Sequence, residues 1–158
     1  MKRGFTLIEL IFVIIVIGIL AGVALPKLQH MRQNAEVTSV FKIVQDSLSS
    51  VPPAYINLMD LNGTDAKISE IYEIKGSPYW QITRNYNSAS DDAWVYIGPQ
   101  GDLNATILID HTQRPPILHT QINVENNIDN PKYQKMKRLV APRDDTFDGI
   151  YSVDIELQ

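Results

Sequence analysis

The segment from Phe5 to Leu25 constrains the fold more than any other feature, because it is apolar almost without interruption. As an α-helix it would extend about 31 Å at ~1.5 Å per residue, close to the ~30 Å hydrocarbon thickness of a bilayer. Its β-branched residues weaken a helix in water, but within lipid the backbone has to satisfy its own hydrogen bonds. We therefore predict a transmembrane helix over residues 5–25.

Glu9 is the one charged residue within this segment. A charge at the membrane centre costs roughly 2.5–3.5 kcal/mol on insertion scales, and less near an end. Its natural partner is an amine, and cleavage after Gly4 would create one at Phe5 that is mostly protonated at neutral pH. Because two buried opposite charges are tolerable only as a close pair, we predict that Glu9 acts as a register device.

The N-terminus combines a basic start, a Gly-Phe junction, an acidic fifth residue after that junction and a proline beyond the apolar run. This pattern resembles the prepilin signature of type IV pilins and type II secretion pseudopilins, over about residues 1–30. The residues that carry it are Lys2, Arg3, Gly4-Phe5-Thr6-Leu7-Ile8-Glu9 and Ala24-Leu25-Pro26-Lys27. The resemblance implies that a membrane prepilin peptidase cuts between Gly4 and Phe5 and N-methylates Phe5. It also implies filaments in which Glu9 faces the Phe5 amine of a neighbouring subunit.

Two other interpretations of the N-terminus stay open. A conventional signal peptide would be cut after Ala24, and a plain single-pass anchor would not be processed. Counting positive charges does not give the orientation, because Lys2 and Arg3 on one side face Lys27 and Arg32 on the other. The resemblance implies a single pass through the inner membrane with the C-terminal head in the periplasm, followed by a periplasmic or cell-surface filament.

Beyond the membrane segment, residues 27–50 form an amphipathic pattern with apolar side chains three and four residues apart. Val51 is followed by two prolines, which lack the backbone donor and disfavour helix before them. We therefore predict one helix over residues 5–50, about 69 Å long at ~1.5 Å per residue. Its second half would lay one apolar stripe against the head: Leu28, Met31, Ala35, Val37, Val40, Phe41, Val44 and Leu48.

Gly18, Gly22 and Pro26 are four residues apart and so share a helix face. Small residues at this spacing let membrane helices approach closely, and a proline inside a helix frees a carbonyl. One interpretation is a packing face with a mild kink. The other, which the resemblance suggests, is a region that unwinds when subunits leave the membrane for the filament.

The remaining residues 51–158 predict a small globular α+β head. Alternating patterns and turn residues indicate strands at 94–97, 106–109, 117–124 and 150–157, the first two joined as a hairpin. A short helix is predicted over residues 65–75. The fold class is therefore α+β and pilin-like, with the long helix packed on an antiparallel sheet. The chain divides into a leader (1–4), the helix (5–50) and the head (51–158).

Charge and cysteine content exclude several kinds of function. Removal of the leader would change the formal net charge from −4 to −6, and an acidic chain does not predict nucleic acid as the main partner. The sequence contains no cysteine, which excludes disulfides and thiolate metal sites. Many pilins carry a C-terminal disulfide loop, so its absence favours a pseudopilin or a minor subunit.

The head shows no catalytic motif, and we predict no catalytic residue, no cofactor and no enzymatic activity. His111 beside Asp110 predicts a solvated or core-edge histidine, because adjacent strand residues point to opposite faces. Asp144, Asp145 and Asp148 precede a glycine and are calcium candidates, although their spacing matches no defined loop and a solvated turn is favoured. The basic stretch 131–138 is interpreted as a solvated flank.

These observations predict a structural filament subunit, with a type II secretion pseudopilin as the first choice. A major or minor pilin of a type IV pilus is the alternative, and a membrane-anchored extracytoplasmic binding domain is the second alternative. The expected partners are other pilin-like subunits, the prepilin peptidase, an inner-membrane assembly platform and membrane lipid.

Overall fold

A computed structural model describes residues 5–63, 65–86, 91–144 and 146–158. One long helix packs along a five-stranded antiparallel sheet, so the predicted α+β architecture is confirmed. The elements, in chain order, are α1 (Leu7–Asn62), α2 (Ile68–Ile71), β1 (Trp80–Thr83), β2 (Ala93–Ile97), β3 (Leu103–Asp110), β4 (Ile117–Val124), α3 (Pro131–Val140) and β5 (Ile150–Glu156).

Helix α1 does not end at Ser50, so that part of the prediction is wrong. It continues through Pro52 and Pro53 to Asn62, and Gly63 then ends it in the left-handed conformation with φ of 64°. Beside the prolines, Val51 is fully buried against the head, and burying such a side chain contributes about 1.5–3 kcal/mol. Packing of this kind offsets the ~3 kcal/mol that a proline costs within a helix.

The sheet is a simple meander in which each strand pairs with the next, in the order β1-β2-β3-β4-β5. The predicted β2–β3 hairpin is confirmed, with Ala93 opposite Leu108 and Ile97 opposite Asn104. The predicted third strand and the alternation of the last one are also confirmed. Strand β1 and helix α3 were not predicted, and the helix expected over residues 65–75 is limited to α2.

The core lies between α1 and the inner sheet face. Val40 and Val44 of α1 pack there with Ile107 and Ile122 of the strands, all at most 2% exposed. Inward residues of the strands alternate with outward ones, as half-buried antiparallel strands require.

The head covers less of α1 than the amphipathic pattern predicts. Leu28 and Met31 are 58% and 60% exposed, and Ala35 is exposed too, so these members of the predicted stripe are not buried by the head. The first fully buried residue along α1 is Val37. The physical reason is a change of helix face: Leu28, Met31 and Ala35 lie on the side opposite Val40 at about 100° per residue.

Candidate functional site

The N-terminus of α1 carries the residues that the sequence singles out for processing and assembly. Lys2, Arg3 and Gly4 lie outside the described residues, so their predicted roles stay predictions. Phe5 is 85% exposed and directly precedes Thr6, whose backbone is extended, with φ of −78° and ψ of 152°. Helix begins only at Leu7, so the predicted cleavage site adjoins a non-helical segment.

Glu9 is held by Thr6 in a capping box. The Thr6 backbone N–H and hydroxyl both donate to Glu9 Oε2, at 2.9 and 2.7 Å, and the Glu9 backbone N–H donates to Thr6 Oγ1 at 3.4 Å. Such a box satisfies donors that a helix N-terminus otherwise leaves free. Sequence reasoning considered only an amine partner and missed this local one, although Thr followed three residues later by Glu is the known signal.

The capping box also fixes where the Glu9 carboxylate points. Bonding to Thr6 turns it back along α1 toward Phe5, at the end where cleavage would create an amine. The Glu9 carboxylate accepts both of its hydrogen bonds through Oε2, and both come from Thr6. Within the described residues, Glu9 Oε1 accepts no hydrogen bond. This oxygen is therefore available to a cation brought by another chain.

Helix α1 is long and apolar enough to cross a membrane, judged by length and composition. Its apolar N-terminal stretch is not buried against the head: Ile11 is 48% and Leu20 is 63% exposed. An apolar surface of this size in water is unfavourable, so it requires lipid or other helices around it.

Gly18, Gly22 and Pro26 all lie within α1, which is helical throughout this region. Because about 18 residues complete five turns, Gly18 lies on the same side of α1 as Glu36. For the same reason Gly22 lies on the same side of α1 as Val40, which is buried against the head. The small-residue face is thus on the side that carries the head, and close packing or unwinding there stays a prediction.

A buried ionic cluster joins α1 to the head close to Val37, the first residue of the helix that the head buries fully. The Lys132 side chain is fully buried, and its Nζ lies 3.0 Å from Glu36 Oε2 on α1 and 2.7 Å from Asp102 Oδ1 in the β2–β3 turn. The Tyr96 hydroxyl donates to Glu36 at 2.9 Å, and the Asn130 amide donates to Asp102 at 3.2 Å. Buried charges require such pairing and hydrogen bonding.

The cluster perturbs the acidities of its members. Burial alone would raise the pKa of Asp102, but hydrogen bonds from Lys132 and Asn130 outweigh it and hold that pKa below its ordinary value. Burial and the bond to Glu36 raise the pKa of the Tyr96 hydroxyl. Asp102 is therefore ionised at neutral pH, and its side chain and that of Glu36 contact the same Lys132 Nζ.

This cluster corrects the interpretation of residues 131–138 as a solvated flank. The segment lies in α3, where Lys132 and Met136 are fully buried and Tyr133 is 6% exposed. Tyr133, Met136 and Val140 recur at helical spacing, which is the signal that could have predicted an amphipathic helix.

His111 pairs with Asp91 rather than with its neighbour Asp110. Its Nδ1 lies 2.7 Å from Asp91 Oδ1, and its side chain is 7% exposed. Asp110 instead accepts hydrogen bonds from Thr112. The prediction of a core-edge histidine without an Asp110 dyad agrees with this geometry, whereas the Asp91 partner, distant in sequence, was not predicted.

The two described carboxylates of the acidic loop, Asp144 and Asp148, each accept hydrogen bonds from residues two positions further along the chain. Asp144 Oδ1 accepts from the backbone and hydroxyl of Thr146, and Asp148 Oδ1 accepts from the Ile150 backbone. Asp145 lies outside the described residues. Within the part of the chain that is described, no group of three or more His, Cys, Asp or Glu residues lies close enough to hold a metal ion. Calcium binding stays a prediction.

Comparison with known proteins bears directly on the N-terminus. Residues 1–25 match the family model of the prokaryotic N-terminal methylation motif. A fimbrial protein of Neisseria meningitidis serogroup B is 40% identical over 78 residues, covering 48% of this chain and 46% of the relative. The type IV major pilin protein PilE of Neisseria gonorrhoeae is 37% identical over 78 residues, covering 48% of this chain and 47% of PilE.

A shorter match is found in the fimbrial protein EcpB of Eikenella corrodens, 52% identical over 40 residues, which is 25% of each chain. The chain thus spans about half the length, or less, of the curated relatives it matches. No solved structure is significantly similar to it.

Proposed function

We propose that this chain, a type IV pilin-like prepilin, is the structural subunit of a thin filament and assembles through α1 after cleavage between Gly4 and Phe5. The observation that carries the proposal is the uncovered N-terminal half of α1, apolar and exposed from Leu7 to beyond the membrane-spanning length. We propose the expected order of events as well: insertion in the inner membrane with the head in the periplasm, processing and N-methylation of Phe5, then assembly.

The length of α1 supports assembly rather than simple anchoring. Its 56 residues extend about 84 Å at ~1.5 Å per residue, whereas a bilayer core needs ~30 Å. Leu28 and Met31 lie past the membrane segment and before the buried part of the helix, and both are more than half exposed. Helices of neighbouring subunits would cover them, whereas a plain anchor leaves them in water.

Glu9 would couple processing to assembly. Cleavage converts the Phe5 amide nitrogen to an ammonium, and a neighbouring chain could place it against Glu9 Oε1 while Thr6 holds Oε2. Each charge is unfavourable in lipid alone, and the pair relieves both. The uncleaved chain has no such ammonium, so only processed subunits would assemble.

The named relatives favour one machine over the other. Those matched are fimbrial proteins and type IV major pilins, so we place this subunit first in a type IV pilus. The sequence alone had placed a type II secretion pseudopilus first. That machine stays the second candidate because the chain has no cysteine for a C-terminal disulfide loop.

The test compares Glu9→Ala with Asp60→Ala, an exposed acidic residue near the other end of α1. Both variants should insert into the membrane, but only Glu9→Ala should fail to form filaments in electron micrographs of the producing cells. Mass spectrometry of the wild-type chain should find a methylated Phe5 at the N-terminus. Normal filaments from Glu9→Ala, or retention of Met1 beside an active peptidase, would contradict the proposal.

Deleting the gene separates the two machines. Loss of surface filaments with normal protein secretion would identify the pilus. Accumulation of secreted enzymes in the periplasm would identify the secretion pseudopilus.

A further inference from the structure

Two adjacent rows of side chains cross the sheet face that turns away from α1, which we name the outer face. In each row the residues are direct cross-strand partners, so adjacent side chains lie about 5 Å apart. One row consists of Gln81, Val95, Thr106, Gln121 and Ser152, and the other of Ile97, Asn104, Asn123 and Ile150.

These rows contain no charged residue, although 20% of the chain is charged. Their polar members are amides and hydroxyls: Gln81, Asn104, Thr106, Gln121, Asn123 and Ser152. In the described part of the chain none of these side chains makes a hydrogen bond to another protein group. Two rows with unused donors and acceptors and without charge are suited to a partner that is polar and neutral.

A shallow hollow of about 110 Å³ opens at the β1–β2 end of the outer face. Gln81, Val95 and Ile97 of the two rows line it, together with Tyr79. The Tyr79 ring is 38% exposed and Ile97 is 60% exposed. The hollow therefore offers aliphatic groups beside an amide, and the Tyr79 ring at its edge also packs edge-on against Tyr96, with ring centroids 6.1 Å apart.

Acidic side chains at the border of the outer face disfavour anionic partners. The next row toward the β3–β4 turn contains Asp154, paired with His119, and Asp110 and Glu156 lie beyond it. Phosphates and acidic sugars would be repelled there, since like charges brought together are destabilising. Nucleic acid, anionic lipid and acidic polysaccharide are thus poor candidates.

We propose that the outer face binds a neutral polysaccharide. Sugar hydroxyls both donate and accept hydrogen bonds, and an amide side chain such as Gln121 can do the same. The C–H faces of sugar rings are apolar and fit the Tyr79 ring and the aliphatic side chains of Val95 and Ile97. No charge has to be removed from water when such a complex forms, which keeps the desolvation cost small.

Binding by a single chain does not depend on filament formation, but its strength in the cell would. This last point rests on the proposed function: α1 lies on the inner side of the sheet, so packing of α1 in a filament core leaves the outer face outward on each subunit. Repetition along a filament would raise the avidity for a long polymer without any new contact.

The test uses the full-length chain in a detergent without a sugar headgroup, sedimented with microcrystalline cellulose, chitin or granular starch. Alginate beads serve as the anionic comparison. The double variant Gln81→Ala/Gln121→Ala removes two side chains of the outer face. The control Gln29→Ala/Gln100→Ala removes two exposed glutamines outside it. All four sites are on the surface or half-buried, so thermal unfolding should change little.

The wild-type chain and the control should sediment with at least one neutral polysaccharide and not with alginate. The outer-face variant should bind about tenfold more weakly, as expected for the loss of two modest hydrogen bonds. Absence of binding to cellulose, chitin and starch would overturn the proposal. Equal polysaccharide binding by the outer-face variant and the control would also overturn it, as would binding of the wild-type chain to alginate. A variant that keeps its polysaccharide binding and loses only self-association would overturn it as well.

The two proposals fail separately. Filaments in micrographs without polysaccharide binding would refute this inference and leave the filament function. Binding by the detergent-solubilised chain without filaments in cells would refute the filament function alone.

Discussion

Replacing Lys132 by methionine should destabilise the head by about 3–5 kcal/mol, because the change removes the ammonium from a buried ion cluster. Methionine nearly preserves the volume and the unbranched shape of the side chain, so the loss reports charge rather than packing. Glu36 and Asp102 would remain in place with side chains 16% and 12% exposed and with no lysine between them.

The geometry of the cluster places the expected loss of stability near the upper end of what single substitutions cause. The Lys132 Nζ is fully buried and contacts both carboxylates at 2.7–3.1 Å, so water screens the interaction little. Hydrogen bonds from Tyr96 and Asn130 persist in the variant, which keeps the loss below complete unfolding. Surface ion pairs, by comparison, contribute about 0–1 kcal/mol.

Urea unfolding of the full-length chain in micelles measures the effect through the fluorescence of Trp80 and Trp94. Arg138→Met is the matched control, because Arg138 is an exposed cation in the same helix and its loss should change stability by about 0.5 kcal/mol or less. The deficit of Lys132→Met should shrink as the pH falls, because the bond from Lys132 that lowers the pKa of Asp102 is lost in the variant and burial then favours the protonated carboxyl group.

A loss below about 1 kcal/mol for Lys132→Met at pH 7 would refute the reasoning, since it would mean that the cluster is solvated like a surface pair. A deficit that does not depend on pH would also refute it, because it would assign the loss to packing.

Two further substitutions test the head. Burial alone would raise the pKa of Asp92, but the hydroxyl of Ser69 and the ammonium of Lys67 lower it overall. The ionised Asp92 therefore contributes folding stability above about pH 4, and this contribution is lost as the pH falls through the folded-state pKa. Asp92→Asn should weaken this dependence on acid pH in thermal unfolding curves. Gly149→Ala should cost at least 1–3 kcal/mol in urea unfolding, roughly the strain of its φ of 94°, because the new Cβ would also lie 2.3 Å from the Val124 carbonyl oxygen.

Each of these has a control. Gly101→Ala adds a Cβ at a similar φ of 73° with nothing within 4 Å, so it isolates backbone strain, and an equal loss at both glycines would contradict the steric part of the argument. For the acid limb, Asp129→Asn is an exposed comparison, and equal flattening by both variants would assign the effect to net charge rather than to Asp92.

Local patterns predicted much of the fold. The strands at residues 117–124 and 150–156 follow from alternation of apolar and polar side chains, and that period is a property of the extended backbone itself. The β2–β3 hairpin follows from turn residues between two apolar runs. Strand β1 has only four residues, too few for such a pattern to stand out.

The candidate functional residues also include some that local sequence predicts and some that only the fold reveals. Glu9 stands out in the sequence because a charge inside an apolar run has a cost wherever the chain folds. Its capping bond to Thr6 is also local, three residues away. The outer face required the strand register, because its rows join residues from β1 to β5 that no local pattern relates.

The sequence by itself determined that this protein has a membrane-length helix with one acidic residue near its start, since hydrophobicity and helix length are set by consecutive residues. Only the tertiary structure decided that Lys132 is buried, because its partners Glu36 and Asp102 lie 96 and 30 residues away and only packing of α3 on α1 brings them together. It also decided that α1 passes Pro52 and Pro53, because the burial that offsets their cost comes from the head.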